Sequence, residues 1–218
     1  MALNAPFHLP AQGLFLSFEG IEGSGKSTQI QKLREHLTEQ GREVLVLREP
    51  GGTSFGEKLR AALLGHDTTL DPLAETFVFL ASRVQLLREK ILPHLTGPRR
   101  VVLLDRYLDS TLVYQALAQG KDPAALWQLF AHPPLTLLPH ATLFLDITVE
   151  KSLERQALRG QSKDYFESRH QEFQRALMEG YQLLARQHPE RILTIDAAGA
   201  SDEVFRAIIT ALSGRALL

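Results

Sequence analysis

Short apolar runs recur along the chain, and longer stretches with helical periodicity separate them. The runs lie at Leu14–Phe18, Val44–Leu47, Val101–Leu104, Thr142–Ile147 and Ile192–Ile195. Because successive positions in each run are apolar, the runs predict strands that are covered on both faces, as in a parallel sheet. Strands that alternate with helices favour right-handed crossovers, and therefore an α/β fold with a doubly wound sheet.

The longest predicted helix spans about Leu73 to Leu92. Asp71 is placed to cap its first turn, Pro72 suits the first helical position, and Pro93 is expected to end it. In a doubly wound sheet, ligands bind beyond the carboxyl ends of the strands. The residues that directly follow each strand are therefore the candidates for function.

The composition is that of an ordinary globular protein and excludes several classes of function. The chain has 218 residues, of which 44% are hydrophobic and 22% charged, with a net charge of −1 and no cysteine. The length suits one domain over residues 13–218, and the small net charge gives no attraction to nucleic acid or anionic membrane. The lack of cysteine excludes disulfides and thiolate metal sites, and no apolar run approaches a membrane span. Residues 1–12 predict a loose tail, not a signal peptide.

The residues between the first strand and the first helix match the phosphate-binding pattern G-x-x-x-x-G-K-[ST] at every fixed position. They read Gly20-Ile21-Glu22-Gly23-Ser24-Gly25-Lys26-Ser27, and Thr28 follows. A glycine-rich turn that leads into a helix directs backbone N–H groups and the positive end of the helix dipole at an anion. Lys26 is then expected to reach the outer phosphates of a nucleotide, and the Ser27 hydroxyl to bind Mg²⁺. The alternative is a glycine turn that only connects two elements.

Charged side chains follow the second and third strands. The second strand leads into Arg48-Glu49-Pro50-Gly51-Gly52-Thr53, with Arg60 on the next helix, and the third leads into Asp105-Arg106-Tyr107. We expect Asp105 to hold Mg²⁺ directly or through water, and Arg106 to bind phosphoryl oxygens with its planar fork. The alternatives are a solvated ion pair in the first loop and a buried structural Asp–Arg pair in the second.

Two predicted helices carry side chains that suit a planar base. Glu75, Phe79 and Arg83 share one face of the long helix. One face of the helix after Asp105 carries Ser110, Thr111, Tyr114 and Gln115. A base is expected to stack on Phe79 and to form hydrogen bonds with Arg83 and Gln115. Taken alone, the pattern also fits Phe79 as a core residue and Arg83 as a surface cation.

These elements, in this order and spacing, resemble the thymidylate kinase family from about Leu14 to about Leu212. The resemblance is carried by Phe18–Ser27, Arg48–Thr53, the Phe79-x-x-x-Arg83 pair and Asp105-Arg106-Tyr107-x-x-Ser110-x-x-x-Tyr114-Gln115. It implies a P-loop nucleoside-monophosphate-kinase-like α/β fold, with a five-stranded parallel sheet flanked by helices on both faces. It also implies a cytoplasmic homodimer that transfers the γ-phosphoryl group of ATP to dTMP with Mg²⁺, giving dTDP and ADP for dTTP biosynthesis.

The resemblance further implies a role for each matched residue. ATP is held by residues 20–28, and the metal lies near Ser27, Glu22 and Asp105. The implied dTMP site comprises Glu22, Arg48, Arg60, Phe79, Arg83, Arg106, Ser110, Thr111, Tyr114 and Gln115. Within it, the three arginines other than Arg83 surround the acceptor phosphate, Phe79 stacks on thymine, and the Tyr114 ring occupies the place of a 2′-hydroxyl.

The chain departs from the family pattern in three places. The lid, at about residues 150–170, reads Asp164-Tyr165-Phe166-Glu167 where relatives usually have Asp-Arg-x-Glu. Gln119-Gly120 replaces Arg-Gly, and Pro139-His140 replaces Pro-Asp. Because Tyr165 takes the place of the lid arginine, another cation must neutralise the transferring phosphoryl group. The candidates are, in order, Arg159, Arg155 and Lys163.

Two rival functions fit parts of the pattern. The first is another kinase of this fold, which acts on a deoxynucleoside or on a different monophosphate. A neutral hydroxyl acceptor needs a carboxylate base, whereas the set of arginines favours a phosphate acceptor. The second is a catalytically idle nucleotide-binding regulator, which the missing lid arginine favours.

Overall fold

The strands of the chain form one parallel sheet in a computed structural model that describes residues 12–65, 70–159 and 171–218. They are β1 (Leu14–Glu19), β2 (Glu43–Arg48), β3 (Arg100–Asp105), β4 (Ala141–Asp146) and β5 (Ile192–Asp196). Every predicted strand is present, and its ends differ from the prediction by at most one residue. The apolar runs therefore located the sheet correctly.

The order of the strands brings the candidate residues to one edge of the sheet. The order is β2-β3-β1-β4-β5, and all neighbouring strands are parallel. Asp105 at the end of β3 is in register with Phe18 of β1 on one side and with Arg48 of β2 on the other. The carboxyl ends of these strands therefore meet where ligands bind in doubly wound sheets. The predicted fold class, a parallel five-stranded sheet flanked by helices, is confirmed.

Helices connect the strands and cover the sheet. They are α1 (Lys26–Glu39), α2 (Ser54–Leu64), α3 (Pro72–Leu86), α4 (Leu92–His94), α5 (Leu108–Gln115), α6 (Ala124–Phe130), α7 (Val149–Arg159), α8 (Gln171–Gln187) and α9 (Ser201–Ser213). A π-helical turn spans Leu87–Ile91, and a 3₁₀ turn spans Leu117–Gln119. Helix α1 packs against α9, whereas α3 and α8 both pack against α5. The helices α3 and α5, which carry the predicted base site, are thus direct neighbours.

The long predicted helix begins as expected but ends differently. The Asp71 carboxylate accepts a hydrogen bond from the backbone N–H of Leu73 at 2.8 Å, and Pro72 occupies the first turn. The π-helical turn Leu87–Ile91 follows α3, and Pro93 lies inside the short helix α4 that comes next. The expectation that Pro93 ends the helix directly is therefore wrong by two residues. A proline is tolerated there because it directly follows the π-helical turn, where the i→i−4 hydrogen-bond pattern of the helix is interrupted.

The core lies around the central strands and thins toward the edge. Phe15, Leu16 and Leu103 of β1 and β3 have no exposed surface, whereas Val46 of β2 is 39% exposed. The prediction that every strand is covered on both faces is therefore wrong for the edge strands β2 and β5, which both contain exposed positions.

The histidine that departs from the family pattern stabilises the start of β1. His140 Nδ1 accepts a hydrogen bond from the backbone N–H of Phe15 at 3.0 Å. The backbone N–H of His140 donates to the Phe15 carbonyl at 2.8 Å. Partial desolvation of the ring lowers the pKa of His140, although part of the residue is exposed to solvent. An aspartate at this position would offer a carboxylate oxygen to the same N–H group, so the substitution keeps the acceptor and changes its titration.

Two predicted segments lie largely outside the described residues. The tail expected at residues 1–12 is described only at residue 12, and the lid expected at about 150–170 only as far as residue 159. Within the described ranges, no helix is long and apolar enough to cross a membrane.

Candidate active site

The phosphate-binding loop connects β1 to α1 in a conformation that requires glycine. Gly23 and Gly25 have φ angles of 72° and 95°, in the region that L-residues with side chains avoid. A Cβ atom on Gly23 would lie 2.8 Å from the Ser152 carbonyl oxygen. The loop is therefore packed tightly against α7, and its N–H groups are held in place before any anion binds.

Lys26 begins α1 and is held by the loop itself. Its ammonium donates to the carbonyl oxygens of Gly20 at 3.0 Å and Ile21 at 3.1 Å. Burial, together with the nearby Arg106, lowers the pKa of Lys26 to about 8, although the surrounding carboxylates oppose the shift. Phosphates would restore the missing negative charge, so this lysine is arranged for an anionic ligand.

A cavity of about 460 Å³ opens beside the loop at the carboxyl ends of the strands. Its walls come from the P-loop, the loop after β2, α2, α3, the turn after β3 and α5. The predicted residues that line it are Glu22, Gly23, Gly25, Lys26, Ser27, Arg48, Arg60, Phe79, Arg83, Asp105, Arg106, Ser110, Thr111, Tyr114 and Gln115. Every residue of the predicted dTMP site therefore lines one cavity, together with the lysine of the P-loop.

Arg83 lies at the base end of this cavity and is 1% exposed. Its Nε donates to Glu49 Oε2 at 2.7 Å, and its Nη2 donates to Thr111 Oγ1 at 2.9 Å. The guanidinium also lies 4.9 Å from the centre of the Tyr107 ring. Burial opposes the charge, but the Glu49 carboxylate outweighs it and raises the pKa of Arg83. The alternative that Arg83 is a surface cation is wrong.

Two buried polar atoms of this pair have no hydrogen-bond partner among the described residues. They are Arg83 Nη1 and Glu49 Oε1. Nearby, the Gln115 amide donates to Glu75 at 3.3 Å, and Phe79 is half-buried on the cavity wall. Arg83 and Glu49 both line the cavity, and unpartnered buried groups are costly in a folded protein, so a polar ligand that reaches these atoms would complete their hydrogen bonding.

The arginines at the other end of the cavity differ in how they are held. Arg48 forms an exposed ion pair with Glu57 at 2.9 Å, while Arg60 donates to the Pro50 carbonyl at 3.1 Å. Arg106 has a φ of 67° and its guanidinium lies 5.3 Å from the centre of the Tyr114 ring. The alternative of a solvated ion pair within the first loop is therefore wrong: Arg48 pairs with Glu57 of α2, while Glu49 of the loop is buried against Arg83. Arg48 also lines the cavity.

The arrangement around Arg106 includes two residues that the sequence analysis missed, Glu19 and Tyr181. Arg106 Nη1 donates to the hydroxyl oxygens of Ser110 at 3.3 Å and Tyr181 at 3.1 Å, and both hydroxyls contact the Glu19 carboxylate. Burial and the nearby Asp109 raise the pKa of Glu19 to about 7, while Arg106 opposes the rise. A glutamate at the end of an apolar strand was a signal in the sequence, but nothing there marked Tyr181.

The predicted metal ligands lie on the same wall of the cavity. Ser27, Glu22 and Asp105 supply only oxygen atoms, which suit Mg²⁺. Asp105 Oδ1 is buried and has no hydrogen-bond partner in the described part of the chain, which fits a carboxylate that meets a cation or its water. The described residues contain no cluster of three His, Cys, Asp or Glu side chains that could hold a metal without a ligand's oxygens.

Arg155 is the lid candidate whose side chain the structure describes, and it does not line this cavity. The Arg155 guanidinium binds the carbonyl oxygens of Gly199 at 3.1 Å and Ala198 at 3.2 Å, in the loop between β5 and α9. There it lines a second cavity of about 320 Å³, which shares Gly23 and Gly25 with the first. The side chain of Arg159 and all of Lys163 and Tyr165 lie outside the described residues.

Comparison with known proteins shows which family the chain belongs to. The family model for thymidylate kinase matches residues 18–208. The chain belongs to the thymidylate kinase family. Among individual relatives, a thymidylate kinase of Caldanaerobacter subterraneus subsp. tengcongensis is 39% identical over 201 residues, which cover 92% of this chain and 95% of that protein. A thymidylate kinase of Chlorobaculum tepidum is 39% identical over 207 residues, which cover 91% of this chain and 96% of the relative.

A solved structure shows the same likeness in three dimensions. The crystal structure of thymidylate kinase from Ehrlichia chaffeensis matches with a TM-score of 0.73 and 28% identity, over 92% of this chain and 98% of that one. The resemblance to the thymidylate kinase family that four sequence segments indicated is therefore confirmed. The departures at Gln119, His140 and Tyr165 all lie within the residues that the thymidylate kinase model matches.

Proposed function

We propose that the chain transfers the γ-phosphoryl group of ATP to the 5′-phosphate of dTMP, giving dTDP and ADP. The observation that carries the proposal is one cavity of about 460 Å³ that joins the P-loop lysine, three arginines and a pocket for a base. A donor phosphate bound at Lys26 and an acceptor phosphate bound at Arg106 would share this space. Family membership supports the same reaction.

The base end of the cavity favours thymine over cytosine. Arg83 Nη1 can only donate hydrogen bonds, and it is buried without a partner among the described residues. The 4-oxo group of thymine accepts such a bond, whereas the 4-amino group of cytosine would present donors to a donor. Because an unpaired buried group costs more than a lost contact, this arrangement discriminates strongly. Phe79 supplies a flat surface for stacking on the same base.

The phosphate end neutralises charge and aligns the reacting groups. Two phosphates repel each other as they approach, and phosphoryl transfer needs little covalent help from a protein. Lys26 and the N–H groups of the P-loop would hold the donor, while Arg48, Arg60 and Arg106 would hold the acceptor. Their main contribution is to keep the acceptor oxygen in line with the transferring phosphorus.

We assign the metal to Mg²⁺, held by Ser27 and, directly or through water, by Glu22 and Asp105. When bound, Mg²⁺ supplies positive charge to the donor phosphates and fixes their geometry. We also assign to Glu22 the acceptance of a hydrogen bond from the deoxyribose 3′-hydroxyl. The unpartnered Asp105 Oδ1 supports this assignment.

We assign the exclusion of ribonucleotides to the ring of Tyr114. The ring contacts the guanidinium of Arg106 at 5.3 Å and the Phe173 ring at 6.2 Å. Two neighbours hold the ring in place, so a ribonucleotide with its 2′-hydroxyl would clash or lose its alignment.

The position of Arg155 changes its proposed role. Because it lines the second cavity beside the P-loop, we assign that cavity to the base of the ATP donor and Arg155 to its wall. Arg159 then remains the first candidate to contact the transferring phosphoryl group, within a lid at about residues 150–170 of one domain that begins at residue 13.

We also propose that the enzyme is a cytoplasmic homodimer. Phe55 on α2 and Leu73 and Phe77 on α3 are each about half exposed, at 49%, 57% and 52%. Helices α2 and α3 pack side by side, so these exposed apolar side chains lie on two neighbouring helices. A patch of this kind favours contact with another protein surface, and a second copy would bury both patches at once.

Single-turnover transfer tests the proposed reaction. Enzyme in excess over γ-labelled ATP, with Mg²⁺ and dTMP, is expected to move the label to dTDP in one exponential phase. Label that stays on ATP while ATP and dTMP both bind would overturn the proposal and favour the nucleotide-binding regulator. A parallel reaction contains thymidine in place of dTMP. Label that moves to thymidine, when none moves to dTMP, would favour the deoxynucleoside kinase.

A further inference from the structure

Arg106 is held in an uncommon backbone conformation at the turn after β3. Its φ of 67° lies in the left-handed region, and its N–H donates to the Phe18 carbonyl at 3.0 Å. A residue with a side chain stays in this region only when its surroundings enforce it. Neighbouring groups must therefore hold this conformation and direct the guanidinium.

The Glu19 carboxylate fixes the backbone that follows Arg106. Glu19 has no exposed surface, and its Oε1 accepts hydrogen bonds from the N–H of Tyr107 at 2.7 Å and of Ser110 at 3.3 Å. These two N–H groups lie on the residue after Arg106 and in the first turn of α5. One carboxylate oxygen thus ties the turn to the end of β1.

The other oxygen of Glu19 organises two hydroxyl groups. Its Oε2 accepts from Ser110 Oγ at 2.6 Å and from the Tyr181 hydroxyl at 3.0 Å. The two hydroxyl oxygens also lie 2.8 Å apart, so one of them can donate to the other while its neighbour donates to Glu19. Arg106 Nη1 can only donate, so both hydroxyls accept from it, at 3.3 Å for Ser110 Oγ and 3.1 Å for the Tyr181 oxygen.

We infer that Tyr181, with Ser110 and Glu19, forms a positioning unit that aims the guanidinium of Arg106 at the acceptor phosphate. The unit binds one nitrogen of the guanidinium and leaves the remaining N–H groups for phosphate oxygens. Tyr181 lies on α8, 162 residues from Glu19, so the unit also makes the aim of Arg106 depend on the docking of α8. The inference rests on the proposed function, which gives Arg106 the acceptor phosphate.

The decisive experiment removes the Tyr181 hydroxyl and compares ligands with and without a phosphate. Isothermal titration calorimetry measures the affinity of dTMP and of thymidine for wild type, Tyr181→Phe, Arg106→Ala and the double variant. Tyr181→Phe is expected to weaken dTMP about tenfold, the effect of one hydrogen bond to a charged group, and to leave thymidine within twofold. In the Arg106→Ala background, Tyr181→Phe is expected to change the affinity for dTMP less than twofold.

Kinetics and a matched control complete the test. The kcat/KM for dTMP is expected to fall about tenfold in Tyr181→Phe, while the KM for ATP stays within twofold. Thr76→Val removes another buried hydroxyl, one that donates to the Pro72 carbonyl far from Arg106, and is expected to keep wild-type values. Ser110→Ala, which removes the second hydroxyl, repeats the cycle if Tyr181→Phe does not fold by circular dichroism.

The possible outcomes separate the inference from the proposed function. If Arg106→Ala loses affinity for dTMP but Tyr181→Phe and Ser110→Ala do not, the positioning unit is wrong and the proposed function stands. If Arg106→Ala itself keeps wild-type affinity and turnover, both fail. An equal loss for thymidine and dTMP, or an equal loss in the Arg106→Ala background, would show that Tyr181 acts only on the fold and would overturn the inference.

Discussion

Arg83 and Glu49 form an ion pair at the base end of the cavity, with 2.6 Å between Nη2 and Oε2 and with both side chains no more than 3% exposed. Buried ion pairs contribute little net stability, because both charges lose their water. They do fix geometry, since each charge has one good partner and no water to exchange for it. The pair therefore holds Arg83 at the base site before any nucleotide binds, and it leaves Nη1 free of described partners for the ligand.

Replacing Arg83 by lysine tests this geometry. An ammonium on a flexible stem cannot bind Glu49, Thr111 and the base edge together. Arg83→Lys is expected to raise the KM for dTMP at least about tenfold, or about 1.4 kcal/mol, and to lower the free energy of unfolding in urea by about 2 kcal/mol or more. Arg100→Lys, which alters an exposed ion pair with Glu43, is the control and is expected to change unfolding by less than about 1 kcal/mol. Equal effects of the two changes would contradict a special role for the buried pair.

Two changes at Tyr114 separate its ring from its hydroxyl. Tyr114→Phe keeps the ring and is expected to leave the preference for the deoxyribonucleotide nearly unchanged. Tyr114→Ala removes the ring and is expected to relax the preference about tenfold or more, because the space for a 2′-hydroxyl opens. The measurement is the ratio of kcat/KM for dTMP and its ribose counterpart. Steric exclusion by this ring is wrong if both variants discriminate equally well.

His140 gives the enzyme a stability term that depends on pH. Its Nδ1 accepts the Phe15 N–H only while that nitrogen is unprotonated, and partial burial lowers the pKa of His140 below its usual 6.5. Below pH 6.5 the unfolded chain therefore binds this proton more readily than the folded chain. The free energy of unfolding falls as the pH drops through 6.5 toward the lowered pKa, and the term is fully present above 6.5.

The variant His140→Asp isolates this term, because aspartate keeps an acceptor for Phe15 and does not titrate in the same range. Unfolding in urea between pH 7 and pH 5 is expected to destabilise wild type more than His140→Asp. His132→Asp, an exposed histidine in the preceding loop, is the control. Parallel pH profiles for wild type and His140→Asp would show that the bond to Phe15 contributes nothing.

A charge on the exposed face of α3 tests the proposed dimer. Phe77→Glu places a carboxylate in the apolar patch, and burying that charge would cost several kcal/mol, so dissociation to monomers is expected. Leu158→Glu introduces the same charge on α7, where Leu158 is 83% exposed, and is expected to leave the assembly unchanged. Sedimentation velocity measures both. A dimer that survives Phe77→Glu with wild-type affinity would exclude this face as the interface.

Much of the fold and the site could be predicted because the sequence patterns that mark them are local. Apolar runs mark strands, and a P-loop pattern between a strand and a helix fixes both the position and the chemistry of the donor site. The register of β1, β2 and β3 then brings Asp105 and Arg48 together, since parallel strands end at one edge. Every predicted dTMP residue lines the cavity at this edge of the sheet.

What could not be predicted depends on contacts between distant elements. The burial of Arg83 requires Glu49 from another loop, and a lone arginine on a helix is ordinarily a surface residue. Tyr181 meets Glu19 across 162 residues because α8 docks on α5, which no periodicity indicates. Arg155 is predicted to swing over the phosphates when ATP binds, and nothing in the sequence indicated that its guanidinium binds carbonyls after β5 without the nucleotide. In each case a contact with a residue that is distant in the sequence determines the position of the side chain.

The most direct test of the central claim is the substrate preference of the enzyme with ATP and Mg²⁺. A coupled assay of ADP release compares dTMP with dUMP, AMP, CMP and GMP at equal concentrations. The account predicts the highest kcat/KM for dTMP and a modestly lower value for dUMP, since one methyl group in an apolar pocket contributes about 1–3 kcal/mol. The values for the other three should be far lower, because none offers the 4-oxo pyrimidine edge on a deoxyribose. Turnover of AMP, CMP or GMP equal to or better than that of dTMP would contradict it.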